Sequence, residues 1–237
     1  MGGLFIAATL AGLVAAVVEQ PLIDRSDDYL EWIGRNPDRV IAGAFLELVM
    51  AAAVAAIPIA AYPVLRRFSE RLSLGYVVVR AVEGMVLLVG TTGLLTLLTV
   101  GKQFVSASSA DAQHLQALGD ALLAARDWSG HAVLDTAVFP LGALIFNWLL
   151  YRVRLVPRWL SGWGMVAAML YWTAGAGVLL EVMEPFRAAQ ILLALPLAVQ
   201  EMVLAIWLIA KGFAPAAIRT VPAAYRVDAT HVGSGGS

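Results

Sequence analysis

Six apolar stretches, each about as long as a helix needs to cross a bilayer, constrain this chain more than any other feature. A membrane helix requires about 20 mostly apolar residues. The stretches run Gly3 to Glu19, Val40 to Leu65, Leu74 to Val100, Trp128 to Tyr151, Leu160 to Met183 and Ala188 to Ala210. In hydrocarbon every backbone N–H and C=O must be satisfied internally, so such segments form helices. The expected fold is therefore all-α: an integral membrane bundle of six helices in one domain over residues 1–213, followed by a flexible tail over 214–237 that ends in a Gly/Ser linker. Composition agrees, with 60% hydrophobic residues, 14% charged and a mean hydropathy of +0.80. Soluble domains are nearer 25% charged. The first stretch opens without Lys or Arg, unlike a secretory signal, and reads as a true span.

Charge placement sets the expected orientation. The 66–73 loop, the 152–158 loop and the tail carry Arg66, Arg67, Arg71, Arg152, Arg154, Arg158, Lys211, Arg219 and Arg226. The opposite side carries fewer cations (Arg25, Arg35, Arg39, Lys102, Arg126, Arg187) and most of the acids. Basic residues collect on the cytoplasmic side, so both termini are expected to be cytoplasmic. The net charge of −1 gives no reason to expect nucleic acid. With no Cys, disulfides and thiolate chemistry are excluded.

Two outer connections have helical spacing. After Ser26, a candidate N-cap, Tyr29, Leu30, Trp32 and Ile33 suggest a short interfacial helix, or a lid over a cavity. After Ser108, Ser109 and Asp111, the leucines at 115, 118 and 122 form the stripe of an amphipathic helix leading into span four. Ala81–Leu87 and Ala198–Leu204 are weakly alike, three spans apart, as in inverted-repeat transporters. Gly90 and Gly93 offer a small-residue face on which a homodimer is conceivable.

The ionisable residues within the spans are where a function should be sought, because charge at mid-bilayer is costly and faces the bundle interior. They are Glu47, Arg80, Glu83, His131, Asp135 and Glu201, with Gln200 beside the last. At about 1.5 Å per residue, the four carboxylates fall about 12–15 Å from the nearer boundary, close to the midplane. Arg80 and Glu83 are i,i+3 and can pair. Four acids against one Arg cannot all be paired, so some are expected to be protonated, hydrated or bound to a cation. Pro58, Pro140 and Pro196 lie inside spans two, four and six, where each is expected to kink its helix.

Three uses of this cluster are open. One is the binding or transport of a small or amphipathic molecule, with Glu47, Arg80, Glu83, Asp135, Gln200 and Glu201 as ligand-binding or proton-relay groups. A second is metal-assisted catalysis on a lipid-like substrate, with Asp127, His131 and Asp135 as ligands. A third is a structural polar core in a non-catalytic partner protein. HExxH, Gly-x-Ser-x-Gly and phosphate-loop motifs are absent, and no particular cofactor is implied.

The segments Arg80-Ala-Val-Glu83, Leu150-Tyr-Arg-Val-Arg-Leu-Val-Pro-Arg-Trp-Leu160 and Pro196-Leu-Ala-Val-Gln-Glu-Met-Val-Leu-Ala-Ile-Trp-Leu208, running on to Phe213, resemble the bacterial membrane family called domain of unknown function 4386. The resemblance covers roughly residues 4–213. It implies a six-helix membrane protein with Arg80, Glu83 and Glu201 in the family pattern, and implies no activity, substrate or cofactor. The His131 region departs from that pattern.

Overall fold

The computed structural model describes residues 1–23, 28–184 and 187–214, and among these it is all-helical. The helices are α1 (Gly2–Val18), α2 (Gln20–Ile23), α3 (Tyr29–Arg35), α4 (Pro37–Leu65), α5 (Glu70–Val105), α6 (Ser109–Asp127), α7 (Phe139–Val153), α8 (Arg158–Leu179) and α9 (Ala188–Ala210), with a π-helical segment, Trp128–Val138, joining α6 to α7. Ser26, proposed as a cap, and the tail beyond 214 lie outside the described residues. Five helical stretches are long and apolar enough to cross a membrane: α4, α5, the continuous helix Ser109–Val153, α8 and α9. The apolar α1 is shorter, at 17 residues. Large side chains such as Val17, Phe45, Ile59, Val89, Leu192 and Ile209 face outward and exposed. A surface that greasy fits lipid; a soluble monomer rarely exposes more than a few hundred Å² of contiguous apolar patch.

The helices form a ring in the order α1, α4, α5, π segment and α7, α8, α9, closing back on α1. Small residues make the closest approaches. Ala8, Ala11 and Ala15 are the buried stripe of α1, and Gly2 lies against the Ala205 carbonyl of α9. In lipid, where burial itself gives helices no advantage, such close backbone packing is the main attraction. Two apolar cores fill the ends of the ring. At one end Phe5, Tyr76 and Phe146 stack, the last two with centroids 4.9 Å apart, among Ile57, Leu150, Leu155 and Leu160. The turn between α7 and α8 belongs to this core. Arg154 takes a left-handed φ of 58° that ends α7, and the chain then delivers Leu155 and Val156 inward before Pro157 starts α8.

The other end is built on the length of α5. Its 36 residues, capped by Ser69, extend about 54 Å, well beyond the hydrocarbon thickness of about 30 Å. The excess holds α3 and α6. Tyr29, Leu30 and Ile33 of α3 are buried against Leu94, Leu97 and Leu123, so α3 is an integral part of the bundle end rather than a surface anchor. Contact is backbone to backbone, since a Cβ on Gly101 would sit 2.8 Å from the Leu30 carbonyl oxygen and 2.9 Å from Gly34 N. Tyr29 Oη donates to Asp120 Oδ1 of α6 at 2.8 Å. α6 starts where its sequence suggests, with Ser108 Oγ accepting from Asp111 N. Its leucine stripe is only partly inward: Leu115 and Leu122 are half-buried against this core, whereas Leu118 is exposed.

All three prolines are inside helices: Pro58 in α4, Pro196 in α9 and Pro140 within the continuous helix Ser109–Val153, where the π segment gives way to α7. There its missing N–H coincides with the change of helical register. On the Gly90 and Gly93 face of α5, Gly93 adjoins the side chain of Arg126, and the Gly90 carbonyl accepts from Arg126 Nε at 3.3 Å.

The α3–α5 contact predicts a contrast between two alanine substitutions. Gly101→Ala should cost about 1–3 kcal/mol by overpacking and lower the melting temperature in detergent. Gly75→Ala, whose Cβ meets nothing within 4 Å, should not lower it. Equal melting curves for the two would refute the tight contact.

Candidate functional site

The ionisable residues fall into two groups rather than one. In the first, Arg80 Nη1 donates to both carboxylate oxygens of Glu83, at 3.0 and 2.9 Å, with each side chain only 4% exposed. The guanidinium sits among the rings of Phe5, Tyr76 and Phe139, about 6 Å from each centroid. One turn of α5 thus sets the ion pair, while α1 and α7 supply aromatic faces that attract the cation. Glu201 of α9 is within electrostatic reach of both Arg80 and Glu83. Its neighbour Gln200 faces elsewhere and is fully buried, donating to Asn147 Oδ1 at 3.1 Å and to the Leu160 carbonyl at 3.2 Å. It ties α9 to α7 and α8.

The second group lies toward the α3 end. Arg126, at the close of α6, reaches back into the ring, and its Nη2 contacts Glu19 Oε2 at 2.7 Å and Glu47 Oε1 at 2.5 Å. Glu47 therefore does not join the Arg80 set. Arg126, which the sequence places among the loop cations, is the counter-ion expected to be missing. Two carboxylates still share this one nitrogen, and Glu19 Oε1 and Glu47 Oε2 remain buried with no hydrogen-bond partner among the described residues.

Between the groups is a cavity of about 560 Å³, within the usual range for small-molecule sites. Its polar lining is Glu19, Glu47, Arg126, Asp127, Ser129, Asp135, Tyr171 and Gln190; Met50, Leu87, Leu123, Leu134, Ile191 and Leu195 form much of the apolar wall. Asp135 connects cavity and ion pair. It accepts from Tyr171 Oη at 2.8 Å and is within electrostatic reach of Glu83. Asp135 and Leu134 come from the π segment, as do Ser129 and Gly130. π-helical turns are rare and recur at functional sites.

Of the residues singled out in sequence, Glu47, Asp127 and Asp135 line the cavity, whereas Arg80, Glu83, Gln200 and Glu201 do not. The side chain of His131 lies outside the described residues, and among these there is no group of three or more metal-ligating side chains. Glu19 and Arg126 were missed, although both carry a signal. Glu19 falls four residues after Ala15 on the small-residue stripe of α1, and Arg126 three after Leu123 on the inward face of α6. Each charge continues a buried stripe.

The family model for "Domain of unknown function (DUF4386)" matches residues 1–212. The chain belongs to this family. No curated protein and no solved structure matches it. Two of the segments that carry the DUF4386 resemblance have clear physical roles here: Arg80–Glu83 is the caged ion pair, and Leu150–Leu160 is the buried turn between α7 and α8.

A caged pair of this kind should behave as a structural clamp. Arg80→Met strands a buried Glu83 and should cost about 3–5 kcal/mol, whereas replacing both partners by apolar residues is often nearly neutral. Arg80→Met/Glu83→Leu should therefore recover much of the loss in detergent unfolding measurements. A double variant as unstable as Arg80→Met alone would refute the clamp.

Proposed function

We propose that this chain is a six-span protein of the bacterial inner membrane, with both ends cytoplasmic, that binds or carries a small amphipathic molecule. The cavity supports this reading above all: apolar walls, a few converging polar groups and a volume suited to a small ligand. Counting α1 as a span is supported by its length, since 17 residues extend about 26 Å and spans of 17–25 residues occur. Carriage as well as binding is supported by Asp135, which touches the cavity and stands in the field of Glu83, so that a change in occupancy would be felt at the inner ion pair. The arrangement of basic loops supports the orientation.

Topology is testable directly, because the chain contains no native cysteine. A membrane-impermeant maleimide should label His114→Cys in intact cells and leave Arg67→Cys unlabelled until the cells are opened; the reverse pattern would invert the topology. Ligand binding is tested by native mass spectrometry of protein extracted in mild detergent. The parent should retain a small amphipathic species, and Ala194→Phe, which fills the cavity without changing charge, should lose most of it. Identical spectra from both proteins would count against the cavity reading.

A further inference from the structure

The polar end of the cavity selects the charge of its occupant. Glu19 is almost fully buried and lines the cavity together with Glu47. Both lean on one Arg126 nitrogen, so with both carboxylates ionised the cluster carries one negative charge in excess. Each carboxylate also has a buried oxygen, Oε1 of Glu19 and Oε2 of Glu47, with no hydrogen-bond partner among the described residues. Ionised carboxylates only accept hydrogen bonds, so an ammonium, which brings both N–H donors and positive charge, would complete this group. The terminal torsion of glutamate is soft, and rotation about it turns either oxygen toward the cavity. Asp127 and Asp135 line the same space, and Arg126 is the one cation among its described lining residues. An anionic ligand would meet acids on several sides.

The rest of the wall selects the other half of the molecule. A divalent ion wants six or more oxygens, and the described residues offer no such cluster. Much of the remaining lining is hydrocarbon: Ile191, Ala194, Leu195 and Ala198 on α9, after the polar Gln190, and Gly12 and Ala16 on α1. These two helices meet at their other ends, where Gly2 touches Ala205. Beside the cavity, Ile191 and Leu195 are about half exposed, so the apolar wall continues to the outer face of the bundle. An aliphatic chain fits along this wall.

Building on the cavity reading above, we propose that the site takes an amphipathic primary ammonium, its nitrogen beside Arg126 between the carboxylates of Glu19 and Glu47 and its apolar body along the α1–α9 wall. The ammonium belongs either to a free amine or to a lipid head group.

The full chain in phosphatidylcholine nanodiscs, titrated calorimetrically against empty nanodiscs, tests this with n-hexylammonium, n-hexanol, hexanoate and hexyltrimethylammonium as probes. Hexylammonium should bind saturably near one per chain and at least tenfold tighter than the other three, since hexanol lacks the charge, hexanoate has the wrong sign and the quaternary ion lacks N–H donors. Glu47→Gln and Glu19→Gln should each weaken it at least tenfold. Ala198→Phe, which leaves every charge in place, should weaken it through the apolar wall and guards against misfolding of the charge variants. Adding phosphatidylethanolamine separates the sources: competition assigns the site to a lipid ammonium, undiminished binding to a free amine. Saturable binding without preference for hexylammonium would overturn the cationic site and leave the cavity reading standing. No saturable binding by any probe would overturn both.

Discussion

A charge removed from water must find an opposite charge or a ring of donors, and this requirement organises the bundle. Arg80 and Arg126 each answer it for carboxylates that would otherwise be stranded in hydrocarbon. They do so differently. Arg80 pairs within its own helix and is walled by three aromatic rings, which fixes α1, α5 and α7 around it. Arg126 pairs with two other helices, joining the ends of α1 and α4 to α6. One group is enclosed by aromatic rings; the other sets two carboxylates on one guanidinium nitrogen and borders a cavity. The same physical rule thus separates a structural clamp from a candidate site.

The geometry around Arg126 depends on elements that do no chemistry. α5 is long enough to carry α3 and α6 beyond the span, and the glycine contact at Gly34 and Gly101 seats α3 against it. Tyr29 then holds Asp120, fixing α6 at the height from which Arg126 turns inward. The Arg126 side chain lies along α5 beside Gly93, its Nε donating to the Gly90 carbonyl. Immediately afterwards the helix widens into the π segment, which brings Asp135 to Tyr171 and to the cavity. Mobility in any of these parts would reach the cavity through a chain of direct contacts.

The sequence made the helices legible because hydrocarbon permits few alternatives. The long apolar runs matched their helices to within a few residues, and the Ser108 cap and the Arg80–Glu83 pair follow from local spacing alone. The site was only partly legible. Depth along a helix placed Glu47 and Asp135 at similar levels, but depth says nothing about which way a side chain points around the axis. Glu47 therefore stood in one midplane cluster with Arg80 and proved to be a partner of Arg126. Arg126 itself looked like a loop charge because the count stopped at the end of the apolar run. The π segment has no sequence signature of this kind, so the register of Asp135 could not be read ahead.

By itself, then, the sequence determined the solvent, the helical class and the residues whose burial needs explaining. Those follow from composition and from periodicity along one chain. Tertiary structure decided which of those residues meet. Pairing between α1, α4 and α6 joins Glu19, Glu47 and Arg126 across more than 100 positions of sequence, a separation of 107 for Glu19 and Arg126. No local pattern encodes such a meeting, because it depends on the rotation and tilt of whole helices, and these are set by where small residues let the backbones touch.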